Sequence, residues 1–406
     1  MGAIAERVWA EVDLDAIAHN LQFAQVRVGQ SVGVMGVVKS NAYGHGAVEV
    51  AREVERRGAR AVGVATPAEA IELREAGIAI PIVVIGSCLE HEIEPALEFN
   101  VSLSVSPVEM LRPIEEAARR LGRRASVHLL VDTGMSRDGV PADQAVSVAD
   151  EIEDSPHLHQ EGTYTHLATA SLPDKGFCLE QLDRFNGVIR DLYARDIHPG
   201  LIHCANSSAA FTLPGSHFDM IRQGITLYGL APSEHVEPEV ELSPAMTVKT
   251  RVMAVRELKP GESVGYFRQF VADRPTRVAT IPMGYADGLR LGLSGHGHVL
   301  IKGRPAPIVG RVMMDCTVVD ITHLPGTPLG TEVTVLGKSG RHRIDAADLA
   351  RPVESSPYEV LCSFGHRVRR IYTRSGKRAI NRAAAEPEAV VPEPFRVIPP
   401  DSAPGR

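Results

Sequence analysis

Residues 32–46 read VGVMGVVKSNAYGHG, an apolar, β-branched run that ends on Lys39 and passes at once into a polar, glycine-containing turn. A continuous apolar run of this length is the mark of a strand buried on both faces, as in a parallel sheet. Seven further runs follow in order: AVGVAT ending at Thr66, PIVVIG at Gly86, VSLSVS at Ser106, SVHLLVDT at Thr133, TYTH at His166, LIHCAN at Asn206 and FDMIR at Arg222. Amphipathic segments separate them. AVEVAREVERRG and PAEAIELREAG place alanine, leucine, valine and isoleucine at helical spacing, the second opening with Pro67 near a first-turn position. Eight such units predict a closed, eight-stranded α/β barrel of the TIM type, with its helices packed outside.

Beyond Leu242 the rhythm changes. The runs AMTVKTRVMAV, TRVATIPM, HVLIKG, APIVGRVMMDCTVVDI and TEVTVLG are separated by glycine and proline turns with little helix between them, which predicts a second, mainly β domain. The expected division is a barrel over residues 10–240 and a β-rich domain made of residues 1–9 with 241–382. A Glu- and Pro-containing linker is expected around Pro232 to Pro244, and the Pro- and Ala-rich segment 383–406 is expected to be a flexible tail. Two domains are also the default for 406 residues, more than a single core usually serves.

The formal charge of -7 carries no clustered basic stripe, which argues against nucleic-acid partners. Cys88, Cys178, Cys204, Cys316 and Cys362 lie far apart without metal-ligand spacing, so no metal is expected and a reducing compartment fits. MGAIAERVWAEVDL has no basic leader, and no apolar run approaches the roughly 20 residues that span a bilayer. A cytoplasmic protein without a membrane partner is expected.

Catalytic side chains in barrels come from the C-terminal ends of strands, and a partly desolvated lysine there can form a Schiff base with an aldehyde cofactor. An isolated lysine in a loop is more often a surface residue, so the flanking sequence decides. VVKSNAYGHG resembles the cofactor-lysine motif of the alanine racemases, which carry alanine where this chain has Ser40. The resemblance continues in order through DTGMSRDG around Arg137, YTHLATA around His166, HCANSSA around Asn206 and MIRQGITLYG around Arg222. It enters the second domain with GYFRQF (Tyr266), IPMGYADG (Tyr285), GRVMMD (Met314, Asp315) and YEVLC (Tyr358), and covers Trp9 to about Tyr372.

That resemblance implies an isomerase dependent on pyridoxal 5'-phosphate, of fold type III, that interconverts L- and D-alanine through an aldimine and supplies D-alanine for peptidoglycan. It implies a head-to-tail homodimer in which each barrel holds the cofactor on Lys39 and is completed by the β domain of the partner. Lys39 would then be the base for the D-enantiomer and Tyr266 for the L-enantiomer, on opposite faces of the α carbon. His166 would lie beside Tyr266. Arg222, steadied by His203, would face the pyridine nitrogen; arginine only donates, so the nitrogen stays unprotonated, the cofactor is a weaker electron sink and the reaction narrows to proton transfer.

By the same resemblance the phosphate would meet the hydroxyls of Tyr43, Ser207 and Tyr358 and the amides of Gly224 and Ile225, near Asn206, with a helix N-terminus after the eighth strand adding its dipole. The substrate carboxylate would meet Arg137 and the amide of Met314. Asp315 would sit nearby from the partner subunit, and Tyr285 near the entrance. Two departures stand out: Leu130 replaces a lysine that in many members supports the carboxylate-binding arginine, and Gln223 replaces a usual proline. A decarboxylase of the related barrel family would want an acid opposite the pyridine nitrogen, against Arg222. A non-catalytic pyridoxal-phosphate carrier would lack the second domain. A racemase for serine or several amino acids remains open on sequence alone.

Overall fold

The computed structural model describes residues 6–236 and 242–378. The eight apolar runs become strands β1 (Gly33–Val37), β2 (Ala61–Val64), β3 (Ile82–Val84), β4 (Leu103–Val105), β5 (Ala125–Asp132), β6 (Leu158–Tyr164), β7 (Leu201–His203) and β8 (Met220–Gln223). They pair in parallel in the orders β8-β1-β2-β3 and β4-β5-β6-β7. A parallel bridge between Val83 and Ser102 joins β3 to β4. The amides of Asp219 and Arg222 donate to the carbonyls of Ile202 and Ala205 at 3.0 and 2.8 Å, joining β7 to β8 and closing the barrel. Burial on both faces explains the continuous apolar runs.

The two amphipathic segments form outer helices at Ala47–Arg56 and Pro67–Glu75. Thr66 caps the second by accepting from the Glu69 amide, and Pro67 takes a first-turn position where its missing N–H costs nothing. One expectation is corrected: β8 is followed by a single 3-10 turn, Ile225–Tyr228, and not by a helix with a sustained dipole. The turn ends at Gly229, whose φ of 85° is left-handed and where a Cβ would stand 2.0 Å from the Ser243 carbonyl, so only glycine fits.

In the β-rich part, strand Val8–Asp13 lies between Met246–Arg251, antiparallel, and Arg369–Arg374, parallel. A three-stranded sheet of Ala254–Leu258, Thr276–Ile281 and Thr317–Asp320 lies beside it. The run APIVGRVMMDCTVVDI is interrupted. Its ends belong to strands Arg304–Pro307 and Thr317–Asp320, while between them only Ile308 makes a ladder contact, an isolated bridge to Val319. Gly310, at φ 71° and with its Cβ position 3.0 Å from the Val264 carbonyl, turns the chain out of the ladder. The expected tail and part of the expected linker lie outside the described residues. Among the described residues no helix is long and apolar enough to cross a membrane.

Glu53 ties the two parts together. It is fully buried on helix Ala47–Arg56 and accepts from Arg56 at 2.6 Å, from Arg57 at 3.0 Å and from Arg374 of the far sheet. Burial favours its neutral form, but the hydrogen bonds from Arg374, Arg56 and Arg57 outweigh it and hold the carboxyl below its ordinary 4.5. Glu53→Gln is expected to lower unfolding stability by about 1.5–3 kcal/mol, the scale of hydrogen bonds to a charged group, read from the urea midpoint. The advantage of the wild type is full above the ordinary glutamate pKa and is lost as pH falls through the lower folded value.

Candidate active site

The C-terminal ends of the strands open onto a cavity of about 510 Å³ lined by Lys39, Tyr43, Arg137, His166, Asn206, Ser207, Arg222, Gly224, Ile225 and Tyr358. Lys39 opens a tight turn directly after β1 in which Ser40, Asn41, Ala42 and Tyr43 all take positive φ, 51–53°. Such a left-handed run of L-residues costs about 1–2 kcal/mol per residue. It is held from several sides. The Ala42 amide donates to Val38 at 2.7 Å, the Ser40 amide to Glu69 at 2.6 Å, and Asn41 Oδ1 accepts from the Ala47 amide at 2.8 Å. His45, fully buried, donates from Nδ1 to the carbonyls of Ala42 and Tyr43, each at 3.0 Å. The turn sets the Lys39 amine and the Tyr43 hydroxyl in one cavity. Burial, then the nearby Arg137 cation, holds the Lys39 ammonium below its usual value.

Arg222 enters from β8 and is 3% exposed. Its Nη1 donates to Nδ1 and to the carbonyl of His203, both at 3.0 Å; its Nη2 donates to the carbonyls of Thr165 and Cys204 and to His166 Nδ1 at 3.1 Å. With both terminal nitrogens engaged, Nε–H is the donor left for the cavity. Because Arg222 can only donate, His166 Nδ1 must accept, which leaves the His166 proton on Nε2. Burial, followed by Arg222, Arg137 and Lys39, pushes the His166 pKa down to about 3.

Ser207 Oγ accepts from the Gly224 amide at 2.8 Å and from Thr226 at 3.3 Å, so its own proton is free to face the cavity. The Gly224 amide therefore addresses Ser207, not the cavity as expected. Asn206 caps helix Ser207–Thr212, accepting from the amides of Ser208 and Ala209 and donating to the Leu167 carbonyl, so it positions Ser207. Arg137 is about half exposed and pairs with its neighbour Asp138 at 3.2 Å, while Leu130 contributes an apolar wall. Gln223 donates to the Asn20 carbonyl at 2.9 Å.

A family model described as the alanine racemase N-terminal domain matches residues 12–232, and one for the alanine racemase C-terminal domain matches residues 245–372. Alanine racemase 2 of Caldanaerobacter subterraneus subsp. tengcongensis is 40% identical over 90% of this chain and 95% of its own. The solved alanine racemase of Clostridium difficile 630 superposes with a TM-score of 0.89 at 32% identity, over 93% of this chain and 98% of that one. An alanine racemase from D-cycloserine-producing Streptomyces lavendulae gives 0.85 at 37% identity, over 91% and 98%. The chain belongs to the alanine racemase family.

Four of the residues singled out by family resemblance lie away from this cavity. Tyr266, Met314 and Tyr285 are 66%, 53% and 44% exposed. They share one surface: the Tyr285 and Ala286 amides donate to the carbonyls of Met313 and Met314, and exposed Phe267 beside Tyr266 lies under the Arg311 guanidinium at 5.1 Å. Asp315 accepts from Arg367 at 2.8 Å. Sequence reasoning passed over Tyr164, which lies two residues before His166 and hence on the same inward face of its strand. Its ring stacks on His203 at 4.7 Å and lies 5.2 Å from the Arg222 guanidinium. Asn206→Ala is expected to cost about 1 kcal/mol in thermal unfolding, as the loss of a helix cap does.

Proposed function

We propose that the chain is an alanine racemase dependent on pyridoxal 5'-phosphate, exchanging L- and D-alanine in a cytoplasmic homodimer whose sites borrow Tyr266 of the partner subunit. The observation that carries this reading is the meeting, in one cavity, of a lysine amine, a donor-only cation and a hydroxyl-lined gap. A Cβ at Gly224 would stand 2.9 Å from Tyr43 Oη and 3.6 Å from Ser207 Oγ, so the gap exists because residue 224 is glycine. Tyr358, 6.0 Å from Tyr43 ring to ring, adds a third hydroxyl. Burial raises both phenols, Tyr358 to about 12, so they remain donors. Three such donors suit a phosphate ester, and the residues present fit the cofactor.

When bound, pyridoxal phosphate supplies an aldehyde that captures an amine and draws electrons from the α carbon. Lys39 would be the amine that holds it and a base on one face of the substrate; its lowered pKa raises the fraction of free amine near neutrality. Tyr266 of the partner subunit would stand on the other face, where His166 could donate from Nε2 to its phenolic oxygen. Arg222 would face the ring nitrogen with its remaining Nε–H and, being able only to donate, would leave that nitrogen unprotonated. Arg137 holds the substrate carboxylate with the amide of Met314 of the partner subunit, near Asp315 of the partner subunit and with Tyr285 of the partner subunit at the entrance.

Exposure of Tyr266 and its apolar surroundings supports the shared site, since exposed apolar patches mark association surfaces. Lys39→Ala is expected to abolish the visible absorbance of the bound cofactor, and Tyr266→Phe to keep that absorbance while lowering turnover of L-alanine about 10²–10⁴-fold. Mixing the two inactive variants should restore activity, because a heterodimer then carries one intact site; no recovery would reject the shared site. Incubation with each L-amino acid in heavy water, following deuterium at the α position, tests the reaction and its range. Exchange confined to alanine is expected, and exchange in serine at a similar rate would replace the alanine reading by a broader one.

A further inference from the structure

The inside of an eight-stranded barrel is ordinarily filled by branched apolar side chains. In this one a hydrogen-bonded polar file crosses it from the cavity to the opposite mouth. Arg222 Nη1 meets His203 Nδ1 at 3.0 Å, His203 Nε2 meets His128 Nδ1 at 3.0 Å, and His128 Nε2 meets a Glu161 oxygen at 3.2 Å. The two histidines are 0% and 1% exposed. Glu161 reaches the mouth where the strands begin, beside Arg74, Arg123 and Arg124, and accepts from Ser102 Oγ at 2.5 Å.

The two ends fix the order of protons between them. Arginine only donates, so His203 Nδ1 accepts. Burial, then Arg222 and His128, holds His203 well below its ordinary pKa, so the ring is neutral and its one proton sits on Nε2. That proton is donated to His128 Nδ1, which leaves the His128 proton on Nε2, facing the carboxylate. Two backbone irregularities build this contact. Val127 pairs with Gln160 but His128 with Gly162, so Glu161 is the extra residue of a bulge, a device that re-aims a side chain. A Cβ at Gly162 would stand 2.4 Å from His128 Nδ1; the glycine makes room for the ring.

We propose that Glu161 is a positioning residue for the reaction, acting from the far end of the barrel through His128 and His203 to keep Arg222 fixed as a donor to the cavity. It rests on the role given to Arg222 above. Without an acceptor at Glu161 Arg222 alone opposes the reversed tautomers of the histidine pair, in which an N–H of His203 meets an N–H of Arg222 and one of them must turn away.

Neutron diffraction from crystals of the wild-type holoenzyme exchanged in heavy water reads the file directly. Deuterium is expected on Nε2 of His203 and His128 and on neither Nδ1; deuterium on His203 Nδ1 overturns the proposal, whatever amino acid the enzyme turns over. In kinetics Glu161→Leu is expected to lower kcat about tenfold, the equivalent of one hydrogen bond to a charged group, with KM little changed and the absorbance of the bound cofactor shifted. Glu161→Gln, whose amide oxygen still accepts, should recover most of the rate. Unchanged kcat in a folded Glu161→Leu enzyme, or equal losses in both variants, overturns it. Should the leucine variant not fold, the neutron map of the wild type decides alone. A wild type that racemises nothing sinks the functional reading and leaves the proton positions to be judged separately.

Discussion

A guanidinium sealed into the mouth of the barrel, with no carboxylate among its hydrogen-bond partners in the described residues, is the constraint around which the site is arranged. Desolvating a lone charge costs several kcal/mol, and the Arg222 cation is kept by five donations to carbonyls and imidazole nitrogens. Those neighbours must stay neutral acceptors. His203 and His166 are therefore held in single tautomers, and Tyr164 presents its ring face to the cation. The nearest carboxylate along the hydrogen bonds is Glu161, two imidazoles away. Charge at one mouth of the barrel is thereby answered at the other.

What the sequence revealed, and what it hid, follows from the range of the forces involved. The eight strands were legible because burial on both faces demands unbroken apolar runs, and each run ends where a strand meets the cavity. Lys39, His166, Asn206 and Arg222 were placed by those ends. The left-handed turn over Ser40–Tyr43 was not legible: none of its four residues is glycine, and it is held by Glu69, Ala47 and His45 from outside itself. The Glu161 bulge was hidden for a similar reason, since a one-residue slip leaves the composition of β6 unchanged. In 310–316 a β-like composition survives without a ladder because Gly310 and the approach of Val264 bend the chain, a contact no local pattern encodes.

The placing of Tyr266 outside the cavity also has a physical cause that motif reading alone does not convey. GYFRQF sits at Gly265, whose φ of 63° starts a 3-10 turn, with Phe267 itself at φ 60°. Positive φ in a bulky aromatic residue is an unusual local cost, and Tyr266 and Phe267 stay exposed while the adjacent Val264 is buried in a cluster with Val278, Val309 and Val318. A surface built in this way presents aromatic area that its own chain does not cover.

Arg137 illustrates how a departure from a family pattern can be absorbed locally. Leu130 lies on β5 and, as an apolar cavity wall, offers the arginine nothing to pair with. The available anion is Asp138, its immediate chain neighbour, at 3.2 Å. A support from the strand below would fix the guanidinium to the rigid barrel. A support from the adjacent residue moves with the same loop, and with Arg137 about half exposed the pair is screened by solvent and worth little on its own. On the role proposed for Arg137, the orientation of that cation comes chiefly from the carboxylate it would hold, and one that engages two of its nitrogens gains more from the fork geometry than one that engages a single nitrogen.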